Sequence, residues 1–125
     1  MSVVLDSSVL VAIVKQEPGY ERAGAALENG LVSAVVFAEA LSKLANLGFN
    51  AVAVEARFKR AGLRVVPVGD EDIAGVVALH ALAKRSISLA DRFCLALALK
   101  LGLPCMTGDR PWEALGLPVE LRSFR

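Results

Sequence analysis

Residues 3–16 read VVLDSSVLVAIVKQ, and this stretch decides the fold class of the chain. Three apolar residues lead into Asp6, and an apolar segment of helical length follows, which the Pro18–Gly19 pair stops. The pattern predicts a short buried strand that ends on a carboxylate and passes at once into a helix. In parallel α/β sheets, ligands bind beyond the carboxyl ends of strands. We therefore expect Asp6 to lie at a functional edge of a sheet.

The rest of the chain repeats this alternation of strand-like and helix-like segments. Helices are predicted at 19–29, from Ser33 through Leu47, at 50–61, from Asp70 to about Lys84, at 86–102 and at 111–115. Further strands are predicted at 31–34, 63–68, 104–107 and 119–124. Strands separated by helices imply right-handed crossovers. We expect one α/β domain over residues 1–125, with a mainly parallel central sheet of about five strands flanked by helices.

The composition bounds the class of protein. The chain has 125 residues, of which 55% are hydrophobic, and its formal net charge is +1. No apolar run approaches the ~18 residues of a membrane helix, and no basic leader precedes Asp6, so we expect a cytoplasmic protein. The mean hydropathy of +0.54 is high, so we expect a partner to cover apolar surface, most simply a second copy in a homodimer. The balanced charge excludes nucleic-acid affinity by bulk charge, while it permits a local basic rim.

The metal-binding and redox residues are few. Cys94 and Cys105 lie in apolar contexts, and His80 is the single histidine. These counts exclude a disulfide framework and a zinc site, and they predict two buried thiols.

Four acidic residues occupy positions where carboxylates can converge. Asp6 and Asp109 each follow a predicted strand, Asp91 begins a predicted helix, and Glu39 lies on a narrow polar line of an apolar helix. Each also has a structural explanation. Asp6 suits a helix cap, and Asp109 suits a turn. Asp91 completes a capping box with Ser88, and Glu39 precedes Lys43 at the spacing of a surface ion pair. Both roles stay open for each acid.

If the four carboxylates do converge, they require a cation. Two carboxylates about 4 Å apart repel by about 4 kcal/mol at an effective dielectric of 20. Oxygen ligands suit Mg²⁺ or Mn²⁺, and such ions assist phosphodiester hydrolysis. Arg92 and Arg110 adjoin two of the acids, and other cations would extend a basic rim: Arg57, Arg60, Arg64, Lys84 and Arg85. The alternative role for these cations is a solvated face or a contact with a partner protein, and it is favoured for all of them except Arg110.

Four segments together resemble the PIN-domain ribonucleases, and most closely the VapC-type toxins of toxin–antitoxin pairs. They are VVLDSSVLVA at 3–12, SAVVFAEALSKL at 33–44, ISLADRFCLALALKLGLP at 87–104 and MTGDRPW at 106–112. The resemblance covers nearly the whole chain. It implies a metal-dependent endoribonuclease that acts on RNA with Mg²⁺ or Mn²⁺ and is held by a small antitoxin protein.

The resemblance also implies roles for individual residues. Its catalytic and metal-binding quartet corresponds to Asp6, Glu39, Asp91 and Asp109. Thr107 would support the site by hydrogen bonding, Ser7 is a small polar residue beside the first acid, and Arg110 would contact phosphate. Apart from the resemblance, Arg92 is a further candidate for substrate binding because it adjoins Asp91. Residues 50–61 would contact the antitoxin, with Phe58 set among Arg57, Lys59 and Arg60.

Other function classes are weaker or remain open. A haloacid-dehalogenase-type phosphotransferase needs a second aspartate where this chain has Ser8, and a receiver domain needs adjacent acids. A catalytically silent PIN-like binding module and a stand-alone PIN nuclease without antitoxin remain alternatives. Flap cleavage of DNA is disfavoured because the chain is short, so RNA is the expected substrate.

Trp112 is expected to pack in the core or at an edge.

Overall fold

A computed structural model describes residues 1–83, 87–108 and 110–125. In these residues, five parallel strands form one sheet in the order β3-β2-β1-β4-β5. The strands are β1 Val3–Leu5, β2 Gly30–Ser33, β3 Arg64–Val66, β4 Cys105–Met106 and β5 Leu121–Arg122. The expected parallel α/β fold is therefore confirmed, with β3 and β5 at its two edges.

Helices connect successive strands. The α-helices are α1 Ser7–Lys15, α2 Tyr20–Ala25, α3 Ala34–Asn46, α4 Ala51–Arg60, α5 Ile73–Ala78, α6 His80–Ala83 and α7 Leu89–Leu101. Short 3₁₀ turns occupy Leu27–Asn29, Asp70–Asp72 and Arg110–Leu115. No helix in the described ranges is long and apolar enough to cross a membrane.

The predicted helix from Asp70 to Lys84 is wrong as a single element. Its first three residues form a 3₁₀ turn, in which the Asp72 carboxylate accepts a hydrogen bond from the Gly69 N–H at 2.8 Å. α5 then ends where the N–H of buried Leu79 donates to the carbonyl of Val76, three residues back, at 3.2 Å. This tight turn separates α5 from α6. Lys84 itself lies outside the described residues.

Two other predicted helices also change type. The segment 19–29 is α2 followed by a 3₁₀ turn, because the Ala26 N–H donates to Ala23 at the three-residue spacing. The segment 111–115 belongs to a 3₁₀ turn rather than an α-helix. The remaining predicted helices and strands lie where they were expected, within a few residues at their ends.

The hydrophobic core contains residues of the central strands and of the helices around them. β1 is buried along its whole length and contacts α7, and α1, α3 and α7 contribute buried side chains to the same core. Cys94 on α7 and Cys105 on β4 are fully buried, with their Sγ atoms 3.5 Å apart. Trp112 is also buried, as expected. Each fully buried valine, leucine or isoleucine side chain in this core stabilises the fold by about 1.5–3 kcal/mol relative to leaving it exposed.

The strand order creates the position of the site. The chain runs outward from β1 to β2 and β3, and then returns to place β4 and β5 on the other side of β1. The order therefore reverses between β1 and β4, and such a switch point leaves a crevice at the carboxyl ends of the strands. Asp6 follows β1 and Thr107 follows β4, so both lie at this crevice.

Candidate active site

Asp6 is the most enclosed acid of the site. Its side chain is 4% exposed, and it caps the N-terminus of α1. Oδ1 accepts a hydrogen bond from the Ser7 N–H at 2.7 Å, and Oδ2 accepts from the hydroxyls of Ser8 at 2.8 Å and Thr107 at 2.9 Å. Burial raises the pKa of Asp6, and these hydrogen bonds oppose the rise. The cap and the crevice position therefore coexist.

Ser8 connects the two strands at the switch point. Its hydroxyl donates to Asp6 and accepts a hydrogen bond from the Gly108 N–H at 3.0 Å. This contact joins the β1–α1 turn to the segment after β4, 100 residues away. Ser8 was not among the site residues predicted from the sequence. The available signal was a hydroxyl two residues after an acid at a helix start, where such side chains bond locally.

Asp91 is held at the start of α7. Its Oδ2 accepts from the Ser88 N–H at 3.0 Å, while its own N–H donates to the Ser88 hydroxyl at 3.1 Å. This is the predicted capping box. The pKa of Asp91 is raised, first by burial and then by repulsion from the carboxylates of Asp6 and Glu39. The cap therefore leaves Asp91 within electrostatic reach of the other two acids.

Glu39 lies on α3 and faces the same space. Its side chain is half-buried, and its Oε1 lies 3.7 Å from the Lys43 ammonium, one helical turn further on. The predicted ion pair is therefore present. Both side chains also line the crevice, as the narrow polar line on this apolar helix indicated.

These residues enclose one open cleft of about 450 Å³. Three of the four sequence-predicted acids line it together. The described lining residues are Asp6, Ser7, Ser8, Glu39, Lys43, Ser88, Asp91 and Gly108. The cleft thus combines three carboxylates and several hydroxyls with a single ammonium among its described lining side chains.

The donor chemistry of the cleft suits an oxygen-preferring divalent cation. Carboxylates and hydroxyls are hard ligands, and Mg²⁺ is usually held by only one or two carboxylates together with water. Within the ranges that the structure describes, no three acidic, histidine or cysteine side chains form a ready-made metal cluster. One or two direct carboxylates together with water would be enough to hold such a cation here.

Several residues predicted for the site lie outside the described residues or outside the described lining of the cleft. Asp109, Lys84 and Arg85 lie outside the described residues, and so does the side chain of Arg110. Arg92 is not among the described lining residues of the cleft. Its Nε atom is buried and has no hydrogen-bond partner among the described residues.

A second groove, of about 250 Å³, lies between α1 and α4. Its lining residues are Ile13, Val14, Gln16, Leu27, Val54, Arg57, Phe58 and Ala61. Phe58 is only 3% exposed and packs edge-to-face against Phe37, with ring centroids 6.2 Å apart. It is therefore mainly a core residue, and any partner contact through it is limited to the ring surface facing the groove.

Comparison with known proteins agrees with this architecture. A toxin–antitoxin complex from Klebsiella pneumoniae superposes with a TM-score of 0.76 at 19% identity, covering 99% of this chain and 98% of that chain. VapC20 of Mycobacterium tuberculosis, a sarcin-ricin loop cleaving toxin, gives 0.73 at 21% identity, covering 97% and 99%. VapBC2 of Rickettsia felis, bound to a fragment of its promoter DNA, gives 0.73 at 14%, covering 98% of each chain.

These identities are low, so the solved structures show a shared fold. No curated protein matches the sequence significantly. The sequence matches the family model of the PIN domain over residues 3–116, which is most of the chain. The chain therefore belongs to the PIN-domain family.

Proposed function

We propose that this protein is a metal-dependent endoribonuclease and acts as the toxin of a toxin–antitoxin pair. One observation carries the proposal. Asp6, Glu39 and Asp91 come from three different elements, and they line one cleft at the switch point of a PIN fold. The pKa of Asp91 is raised first by burial and then by the carboxylates of Asp6 and Glu39, and a bound cation would relieve this repulsion.

The proposed cation is Mg²⁺ or Mn²⁺. Asp6, Asp91 and Asp109 are the proposed direct or water-mediated ligands, and Glu39 would hold a second ion or accept a proton from the attacking water. Such a cation, when bound, would activate water, orient the phosphodiester and offset charge on the leaving oxygen.

The surrounding residues would hold the acids in a working geometry. Three donors fix the Asp6 carboxylate, and two of them are the hydroxyls of Ser8 and Thr107. The backbone N–H of Ser88 fixes Asp91. Partners of this kind orient ligand side chains, and their loss typically weakens metal affinity or activity about 10- to 100-fold.

RNA is the proposed substrate, bound as a flexible single strand. The cleft is open to solvent rather than enclosed, which suits a polymer that must enter from the side. Arg110 and Arg92 are proposed to contact phosphates at its margin. VapC20 of M. tuberculosis, which shares the fold, is a sarcin-ricin loop cleaving toxin.

The proposed antitoxin site includes α4 and the groove beside it. Several of the solved structures that share the fold are toxin–antitoxin complexes. In this chain, the groove between α1 and α4 is lined by apolar side chains that include Val54 and Ile13, and also by Arg57. An antitoxin segment with apolar side chains and an acidic residue would complement it.

We also propose a homodimer. Ile73 and Val77 are one turn apart on α5, and both are more than half exposed. Exposed apolar side chains grouped on one side of a helix are typical of a contact with another protein chain. Light scattering on the purified protein tests this assembly, and a monodisperse monomer would contradict it.

The experiment that tests the proposed function is cleavage of a mixed RNA pool by the purified protein in Mg²⁺, Mn²⁺ or EDTA. We expect metal-dependent cleavage that leaves 5′-phosphate and 3′-hydroxyl ends. Asp91→Asn should abolish it. Asp70→Asn, an exposed acid on the 3₁₀ turn after β3 and outside the cleft lining, is the matched control and should retain it.

Two results would contradict the proposed nuclease activity, and a third would contradict the proposed pairing with an antitoxin. Equal cleavage by wild type and Asp91→Asn would indicate a contaminating ribonuclease. Absence of cleavage in every metal, together with capture of a partner protein, would favour the catalytically silent binding module. Cleavage by a chain with no adjacent antitoxin gene would instead favour a stand-alone nuclease.

A further inference from the structure

Lys43 stands apart from the other lysines because of the surface that it lines. It is the only cationic side chain among the described residues of the acidic cleft. Its side chain is 55% exposed, so the ammonium is accessible to solvent and to a ligand. Lys43 lies one turn after Glu39 on α3, and this spacing brings both side chains to one face of the helix.

The contact between Lys43 and Glu39 is loose. Their charged atoms are 3.7 Å apart, which exceeds a hydrogen-bond distance. In comparison, the Lys59–Glu55 pair is at 2.7 Å and the Lys100–Asp72 pair at 2.8 Å. An exposed ion pair of this kind contributes little to stability. The lysine can therefore exchange Glu39 for another anion at small cost.

The charge of the cleft explains why such an exchange is favourable. The described lining groups are three carboxylates and one ammonium, a formal charge of minus two when all are ionised. One divalent cation would neutralise this described set, and Asp109, proposed as a further ligand, would add one negative charge. In either case the cleft would be more negative by one charge without the lysine and would repel a phosphodiester more strongly. Lys43 therefore lowers the negative charge that an approaching polyanion meets.

We propose that Lys43 is a substrate-binding residue that contacts a backbone phosphate beside the acidic centre and releases Glu39 as it does so. This inference rests on the proposed nuclease function and adds a specific RNA contact to it. Lysine binds phosphate as a flexible point charge, so the contact would be independent of base sequence. The freed Glu39 carboxylate would then face the cation or the attacking water.

The inference predicts two effects of opposite sign when the charge is removed. Lys43→Met should weaken RNA binding because one phosphate contact is lost. The same substitution should strengthen Mn²⁺ binding several-fold, because it removes a positive charge that lies in the cleft with the acids. Damage to the fold would weaken both ligands together, so the opposite signs distinguish substrate binding from a structural role.

RNA binding is measured with a fluorescein-labelled single strand of about 16 nucleotides, in Ca²⁺ to limit cleavage, over a series of salt concentrations. We expect Lys43→Met to reduce the slope of log affinity against log salt by about 0.7, the value for one phosphate contact to a single strand. Lys43→Arg should keep the wild-type slope. Mn²⁺ binding is measured without RNA, from the electron paramagnetic resonance signal of the free ion.

Lys100→Met is the matched control. Lys100 is similarly exposed at 50%, and it forms an ion pair with Asp72 that lies outside the described lining of the cleft. Lys100→Met removes the same charge as Lys43→Met. Because this charge lies outside the cleft lining, its loss should change neither the salt slope nor the Mn²⁺ affinity beyond a small screened effect. A slope in Lys43→Met equal to that of the wild type or of Lys100→Met would overturn the inference.

The outcomes also separate this inference from the proposed function. Mn²⁺ binding by the wild type without any RNA binding would overturn the role of Lys43 and leave the metal centre standing. RNA binding without Mn²⁺ binding would overturn the metal-dependent function. The difference in salt slope between the wild type and Lys43→Met would then still decide whether Lys43 contacts RNA. A fall of both affinities in Lys43→Met would assign the residue a structural role.

Discussion

Thr107→Val tests the reasoning about the buried acid most directly. Thr107 is 5% exposed, and its hydroxyl donates to Asp6 Oδ2 at 2.9 Å across the β1–β4 switch point. Valine has nearly the same shape as threonine but lacks the hydroxyl. The substitution therefore leaves the packing in place and removes a donor from a carboxylate that is itself buried.

The expected cost follows from the charge of the acceptor. A hydrogen bond to an ionised group contributes about 1.5–3 kcal/mol to stability, against about 0.5–1.5 kcal/mol for a neutral one. Unfolding entropy is about 2.1 cal/mol/K per residue, and the chain has 125 residues, so each kcal/mol corresponds to about 4 °C in Tm. Thr107→Val should therefore lower the Tm by about 6–12 °C at neutral pH.

The loss should also depend on pH, with a definite sign. Burial raises the folded-state pKa of Asp6, and the Thr107 hydrogen bond opposes this rise by favouring the ionised form. The loss in Thr107→Val is therefore complete above the folded-state pKa, where Asp6 is charged. It shrinks as pH falls through that pKa, because a protonated carboxyl accepts a weaker hydrogen bond.

The assay is thermal unfolding in EDTA at about pH 7 and at about pH 4, for wild type, Thr107→Val and Thr107→Ser. Thr107→Ser keeps the hydroxyl, so it should lose only the small contribution of one methyl group, with no dependence on pH. An equal loss in Thr107→Val at both pH values would refute the assigned hydrogen bond to the charged acid. So would a Tm equal to that of the wild type.

Three further predictions concern the metal, the thiols and the core. Mn²⁺ at 100 times its Kd should raise the Tm of the wild type by about 10 °C, because binding at this concentration contributes about 2.7 kcal/mol to stability. Asp6→Asn should reduce this rise in Tm, and an identical rise in both proteins would remove Asp6 from the site. Cys94 and Cys105 are fully buried, and the side-chain contact with Cys105 together with burial raises the pKa of Cys94. A thiol reagent should therefore label neither cysteine until the protein unfolds, and rapid labelling of the native protein would contradict this burial. Leu95→Ala in α7 should lower the free energy of unfolding, measured with denaturant, by about 2–5 kcal/mol because Leu95 is fully buried. Leu101 is 41% exposed on the same helix, so Leu101→Ala should lower it by at most about 0.5 kcal/mol. Equal losses would contradict the packing of α7.

Much of the fold could be predicted because its signals are local. The strand β1 and helix α1 follow from apolar periodicity, and the caps at Ser33 and Ser88 follow from side chains that bond within three residues. The break at Leu79 could not be predicted in this way. Its apolar neighbours are compatible with a continuing helix, and the turn there buries Leu79 against the remainder of the domain.

The candidate site divides along the same line. By itself, the sequence determined the alternating α/β order, the acids after the strands and the resemblance to a nuclease family, because these depend on neighbours along the chain. Only the tertiary structure decided that Ser8 would join Asp6 to Gly108, and that Lys43 would share a cleft with the acids. Contacts between segments 100 residues apart depend on how the sheet orders its strands, and that order is a property of the packed core rather than of any local pattern.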